Sequence, residues 1–124
     1  MPSYKLGPAI PQLPSGDIEK TAEFFIKLGF EIPLKSKEMN FLITKRGETE
    51  IHFWQTPNEA AGKRLGSVSS CYIRVENIEP LFGEFKDRGV TFRYELTKQP
   101  WGMHEMQIDD PYGNAIRFGE PLKN

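Results

Sequence analysis

Two histidines and one cysteine are the residues of this 124-residue chain best suited to acid–base or covalent chemistry. His52 lies in Glu50-Ile51-His52-Phe53-Trp54, His104 in Met103-His104-Glu105-Met106, and Cys71 in Ser69-Ser70-Cys71-Tyr72. Extended backbone sends successive side chains to opposite faces. Glu50, His52 and Trp54 therefore share a face, away from Ile51 and Phe53. Ser70, Tyr72 and Arg74 oppose Cys71, Ile73 and Val75. Trp101, Met103, Glu105 and Gln107 oppose His104, Met106 and Ile108, and Arg117 opposes Ile116 and Phe118. No base accompanies Ser69, Ser70 or Cys71 at the spacing of a triad. Cys71 reads as a small core residue.

One face of each strand is thus aliphatic and the other mixes aromatic with polar groups. Trp, Tyr, His and Arg side chains make a poor dry core. They suit a cleft for a flat, polar ligand.

The elements that position these residues form a repeat. At an offset of 60, Leu13 matches Ile73, Asp17 matches Asn77, Ile18 matches Ile78, Phe25 matches Phe85 and Gly29 matches Gly89. In each half a strand leads to an Asp or Asn cap, a helix, a glycine and a further apolar strand. Asp17 and Asn77 are expected to accept bonds from the first free N–H groups of their helices. Gly29 and Gly89 stand where left-handed helix ends are expected. Ile18, Ala22, Phe25 and Ile26 follow helical spacing, as do Ile78, Leu81, Phe82 and Phe85. Three strands follow each helix, near 30–36, 39–45 and 49–55, and near 90–96, 101–109 and 114–119. Arg46-Gly47-Glu48 reads as a hairpin turn. The fold class is α+β, with order βαβββ twice in a single domain over 1–124. Repeat one spans about 8–55, a polar linker or flap 56–67, and repeat two about 68–120.

Net charge is −1, which gives no basic field for nucleic acid. No apolar run approaches the roughly 18 residues of a membrane span. Met1-Pro2-Ser3-Tyr4-Lys5 lacks the apolar stretch of a secretory signal. With a lone cysteine, the reading is a cytoplasmic protein.

Two signatures carry a resemblance along nearly the whole chain. The first is Pro11-Gln12-Leu13-Pro14-Ser15-Gly16-Asp17-Ile18 with Ala22-Glu23-Phe24-Phe25 and Leu28-Gly29-Phe30. The second is Gln99-Pro100-Trp101-Gly102-Met103-His104-Glu105-Met106 with Asp110-Pro111-Tyr112-Gly113-Asn114. With these the chain resembles the bleomycin resistance proteins, within the vicinal-oxygen-chelate (glyoxalase-like) superfamily. The resemblance implies curved sheets forming a cup and a homodimer, domain-swapped or side by side. It implies clefts at the dimer interface that sequester bleomycin-type antibiotics unaltered and so confer resistance. It implies no catalysis, no metal and no cofactor. Pro11 matches the proline that directs the N-terminal arm toward the partner subunit.

The resemblance makes Trp101 an aromatic plate for stacking. Phe41 matches a second aromatic when counted back from His52, whereas Met39 takes the slot when counted forward from Phe30. Trp54 and Tyr72 extend the aromatic wall, with His52, Met103, Arg74 and Arg117 on the same cup-facing positions. Glu50 and Glu105 are candidates to receive cationic groups. Superfamily enzymes hold a divalent metal at four positions, which fall here on Ile10, His52, Ser70 and Arg117. A register shift would substitute Gln12 or Glu50. Arg117 cannot be deprotonated at neutral pH and would repel a cation. The alternative reading is a metal-dependent glyoxalase-type lyase or dioxygenase. Arg74 and Arg117 would favour an anionic or zwitterionic ligand over a cationic one.

Overall fold

Two ten-residue helices, α1 (Ile18–Lys27) and α3 (Ile78–Asp87), each bury one apolar stripe against a four-stranded sheet. The computed structural model describes residues 3–123, so Met1, Pro2 and Asn124, which the sequence reading placed in the N-terminal segment and the domain span, lie outside the described residues. The first unit comprises β1 (Gln12–Ser15), α1, β2 (Glu31–Ser36), β3 (Phe41–Arg46) and β4 (Thr49–Gln55). After α2 (Glu59–Gly66) the second unit comprises β5 (Ser70–Arg74), α3, β6 (Tyr94–Lys98), β7 (Met103–Asp109) and β8 (Ala115–Pro121). Sheet order is β1-β4-β3-β2 in one unit and β5-β8-β7-β6 in the other. In each, the first strand pairs in parallel with the last and the other pairings are antiparallel. The βαβββ repeat is therefore a duplication of topology as well as of sequence pattern.

The helix-side faces of both sheets contribute to one continuous core. Phe25, Leu42, Ile51 and Phe53 from the first unit and Phe85, Met106, Ile108 and Ile116 from the second are all fully buried in it. Edge-on ring pairs knit each half, with Phe25 against Phe30 at 5.2 Å and Phe85 against Phe118 at 5.3 Å. Arg46 of β3 bridges the units, donating to the Leu28 carbonyl at 2.8 Å and to the Glu84 carboxylate of α3 at 2.7 and 2.8 Å. No helix among the described residues is long and apolar enough to cross a membrane.

Three local expectations need correction. Asp17 caps α1 as expected, accepting from the Glu19 N–H at 2.9 Å. Asn77 does not cap α3, because it sits in the left-handed region at φ 64° and its side chain makes no cap bond. Glu120 of β8 takes that role, accepting from the N–H groups of Asn77 at 2.6 Å and Ile78 at 3.2 Å. The stretch 56–67, expected as a polar linker or flap, contains α2, capped by Asn58 accepting from the Ala61 N–H at 2.8 Å. Its glycines, read as loop signals, are needed for close approach: a Cβ at Gly62 would strike the Gly16 backbone, and one at Gly66 the Tyr112 carbonyl. In the second unit β6 and β7 begin later than alternation placed them. Gln99-Pro100-Trp101-Gly102 forms a turn, closed by Gly102 N–H donating to Gln99 at 3.1 Å with Gly102 at φ 87°.

The two units are also latched through the Asp110–Asn114 turn. Asp110 accepts from the Tyr112 and Asn114 N–H groups, each at 2.9 Å. The buried Asn114 amide donates to Asp110 at 2.7 Å and across to the Pro14 carbonyl of β1 at 2.8 Å.

The two donated N–H bonds hold the Glu120 carboxyl below its ordinary value of 4.5. A depressed carboxylate stabilises the fold above its unfolded value and loses that contribution as the pH falls through its folded value. Glu120→Gln should therefore lower the thermal midpoint at pH 7, and the gap to the parent should close as the pH drops below 4.5. Asn77→Gly should leave the midpoint unchanged or higher, since glycine accepts the positive φ at no steric cost. Thermal unfolding followed by circular dichroism across pH measures both.

Candidate functional site

Strand alternation turns the candidate residues away from the shared core. On the first sheet, β3–β4 pairing sets Phe41 beside Trp54 and Ile43 beside His52. The parallel β1–β4 pairing sets Gln12 beside His52 and Pro14 beside Trp54. The Phe41 ring meets the His52 ring edge-on at 5.3 Å, and Trp54 is 39 % exposed. Phe41, rather than Met39, therefore belongs to this face. Glu50 is engaged, with one carboxylate oxygen 2.5 Å from His52 Nε2.

On the second sheet, Tyr72 and Arg74 of β5, Arg117 and Gly119 of β8, and Met103, Glu105 and Gln107 of β7 share the outward face by register. Arg117 Nε donates to Gln107 at 3.0 Å, and Gln107 donates to Asp109 at 2.8 Å. Arg93 holds Asp109 from the other side at 2.7 Å. Glu105 is only 3 % exposed; it accepts from the Tyr72 hydroxyl at 2.5 Å and from Trp101 Nε1 at 3.2 Å. Neither Glu50 nor Glu105 is thus a free carboxylate awaiting a cation. Burial first, then the Glu105 carboxylate, raises the Tyr72 phenol well above its ordinary value, so it stays a donor. Tyr94 is raised by burial and by Glu105, with Arg117 opposing.

Phe41, His52 and Trp54 stand on one sheet; Tyr72, Arg74, Met103 and Arg117 stand on the other, with Trp101 in the turn before β7 bonded to Glu105. The units share the core through their helix sides, so these two outward faces do not close on each other within one chain. They adjoin at a cleft of about 240 Å³ lined by residues 8–11, 48–51 and 72–74. Of the eight candidates, that cleft includes Tyr72 and Arg74.

Three participants escaped sequence reasoning. Tyr94 reaches the face because it pairs with Gln107, but an irregularity between Tyr94 and Thr97 hides the alternation of β6. Gln107 was placed on the face without its role of bonding Arg117. Gly119 matters through its missing side chain, since a Cβ there would overlap the Tyr72 ring and hydroxyl.

The superfamily's metal positions can be compared with this geometry. His52 and Arg117 lie on the outward faces of different sheets, Ser70 pairs with Ala115, and Ile10 precedes β1. The register also brings Gln12 beside His52. Among the described residues no group of three or more His, Cys, Asp or Glu side chains gathers to hold a metal ion. A fixed guanidinium stands at the fourth position, so the residues present do not fit a divalent cation. His104 pairs with Glu120 on the helix side of its sheet. Burial pushes the Cys71 thiol up to about 11, which leaves it no nucleophile at neutral pH.

The chain matches the family model described as Glyoxalase/Bleomycin resistance protein/Dioxygenase superfamily over residues 8–118. It is 30 % identical to the bleomycin resistance protein of Geobacillus stearothermophilus, across 94 % of this chain and 98 % of that one. A crystal structure of a bleomycin-binding protein complexed with bleomycin superposes with a TM-score of 0.78 at 27 % identity, covering 93 % of this chain and 98 % of that chain. A bleomycin resistance determinant encoded on the transposon Tn5 gives a TM-score of 0.78 at 26 % identity, over 94 % and 98 % of the two chains.

Gly119→Ala should displace the Tyr72 ring and cost about 1–2 kcal/mol, as small-to-large changes against packed groups do. Chemical denaturation gives the stability, and the near-ultraviolet tyrosine spectrum gives the ring. An unchanged variant would mean that Tyr72 does not rest on Gly119.

Proposed function

The chain belongs to the Glyoxalase/Bleomycin resistance protein/Dioxygenase superfamily, and within it we propose that this protein binds a bleomycin-type antibiotic and sequesters it unaltered. The observation that carries the reading is Trp101, 64 % exposed on a closed turn at the edge of a face that also presents Tyr72, Tyr94 and Arg117. An indole held in that way offers a flat apolar surface for an aromatic group, worth roughly 0.5–1.5 kcal/mol per stacked pair beyond burial. The chemistry of the face is recognition. It offers ring surfaces and satisfied polar groups, and the Tyr72 hydroxyl bonded to Glu105 stays protonated as a donor. The names of the relatives, a bleomycin resistance protein and a protein complexed with bleomycin, support the choice of ligand.

The binding unit is a homodimer. Two aromatic faces that one chain turns apart can meet across two chains, Phe41, His52 and Trp54 of one copy facing Tyr72, Arg74, Trp101, Met103 and Arg117 of the other. The N-terminal arm before β1 supports the same reading, since Tyr4 is 85 % and Leu6 84 % exposed in the isolated chain. The net charge of −1 gives little long-range attraction for a cationic drug. Affinity should therefore rest on stacking and depend weakly on salt.

Tryptophan fluorescence titrated with metal-free bleomycin tests the proposal. Saturable quenching at one drug per subunit is expected, with a Kd on the order of micromolar or tighter. Sedimentation should give twice the 14.2 kDa chain mass. Trp101→Ala should weaken binding by about tenfold or more, with the dimer retained. No response at high micromolar drug would overturn the ligand assignment, and a monomer would overturn the shared cleft.

A further inference from the structure

The two oxygens of one nearly buried carboxylate each hold a different aromatic side chain of the second sheet's outward face. Glu105 on β7 accepts from the Tyr72 hydroxyl at 2.5 Å and from the Trp101 indole N–H at 3.2 Å. A carboxylate at 3 % exposure has lost its water and needs such donors. The geometry that delivers them is specific. Tyr72 sits on the far strand β5, where its register partner on β8 is Arg117; Gly119 is the β8 residue opposite Glu105. The tyrosine therefore reaches diagonally across the sheet, over Gly119, to find Glu105. Any side chain at 119 would occupy that path. From the other direction the Gln99–Gly102 turn folds the indole back toward the carboxylate four residues on.

We propose that Glu105 is a positioning residue for ligand recognition, which fixes Tyr72 and Trp101 relative to each other so that both rings are in place before a ligand arrives. This rests on the reading of that face as the binding face. Without the carboxylate, an indole that is 64 % exposed has a single turn to restrain it and samples side-chain rotamers on the picosecond-to-nanosecond scale. Its ordering would then oppose binding. The arrangement also gives the Trp–x–x–x–Glu spacing a physical meaning. The glutamate orients the tryptophan rather than meeting the ligand.

The experiment separates ring ordering from ligand binding. The chain has two tryptophans, so Trp54→Phe leaves Trp101 as the single emitter, and every variant is compared in that background. Time-resolved fluorescence anisotropy is measured without ligand, followed by titration with metal-free bleomycin. Glu105→Met removes both acceptors at similar length. It should raise the amplitude of the subnanosecond component about twofold and weaken bleomycin binding about three- to tenfold. Glu105→Gln, which keeps one acceptor for the indole and one donor for the phenol oxygen, should restore both values toward the parent. Unchanged anisotropy in a folded Glu105→Met protein overturns the proposal, as does a Glu105→Gln protein that behaves like Glu105→Met. Should Glu105→Met not fold, Tyr72→Phe decides. Removing one hydroxyl frees one side of the carboxylate and should also increase indole motion, and no increase overturns the proposal. Failure of the unmutated protein to bind bleomycin, with Trp101 loosened in Glu105→Met, would refute the ligand and leave the positioning role standing.

Discussion

Everything in this molecule follows from two sheets having to bury their helix-side faces in one core. Each four-stranded unit sets a single ten-residue helix against its apolar face. Phe25, Leu42 and Phe53 from one unit and Phe85, Met106 and Ile116 from the other meet in a continuous cluster. Burying them together removes far more apolar surface from water than either unit could alone. The geometric consequence is that both opposite faces point outward. Those faces carry the aromatic and polar side chains, so the same constraint that builds the core presents them away from it.

The joint between the units is held by polar contacts of high specificity. Asn114 is fully buried and ties the turn after β7 to the Pro14 carbonyl of β1. Arg46 clamps the end of β3 onto Glu84 of α3 and onto the Leu28 carbonyl. α2 fits between them because Gly62 and Gly66 permit backbone-to-backbone approach. A buried amide nitrogen that donates to both Pro14 and Asp110 fixes one arrangement among the many that hydrophobic collapse would accept. Here that arrangement sets where each outward face ends and its neighbour begins.

The outward faces are prearranged before any ligand is considered. Glu50 is taken by His52, Glu105 by Tyr72 and Trp101, and Arg117 by Gln107. Charged side chains that elsewhere would attract an ion or a metal hold neighbours in position instead. What stays uncommitted on these faces is ring surface and the Arg74 guanidinium.

The sequence by itself determined the repeat, the helices with their glycine ends, and which residues share a strand face. These depend on short-range rules of alternation, helical spacing and backbone sterics, which act on neighbours in the chain. It marked Trp101, Tyr72 and Trp54 because large aromatics on a polar face conflict with a dry core. It misread Asn77, since its left-handed backbone and the arrival of Glu120 from a strand 43 residues away are set by packing. It misread 56–67, since small residues at helix crossings look like loop residues until the partner backbone is known. Only the tertiary structure decided that Glu105 joins Tyr72 to Trp101 and that Gly119 clears the way. Those relations span three strands, and no local periodicity encodes which side chain will lie across an empty glycine.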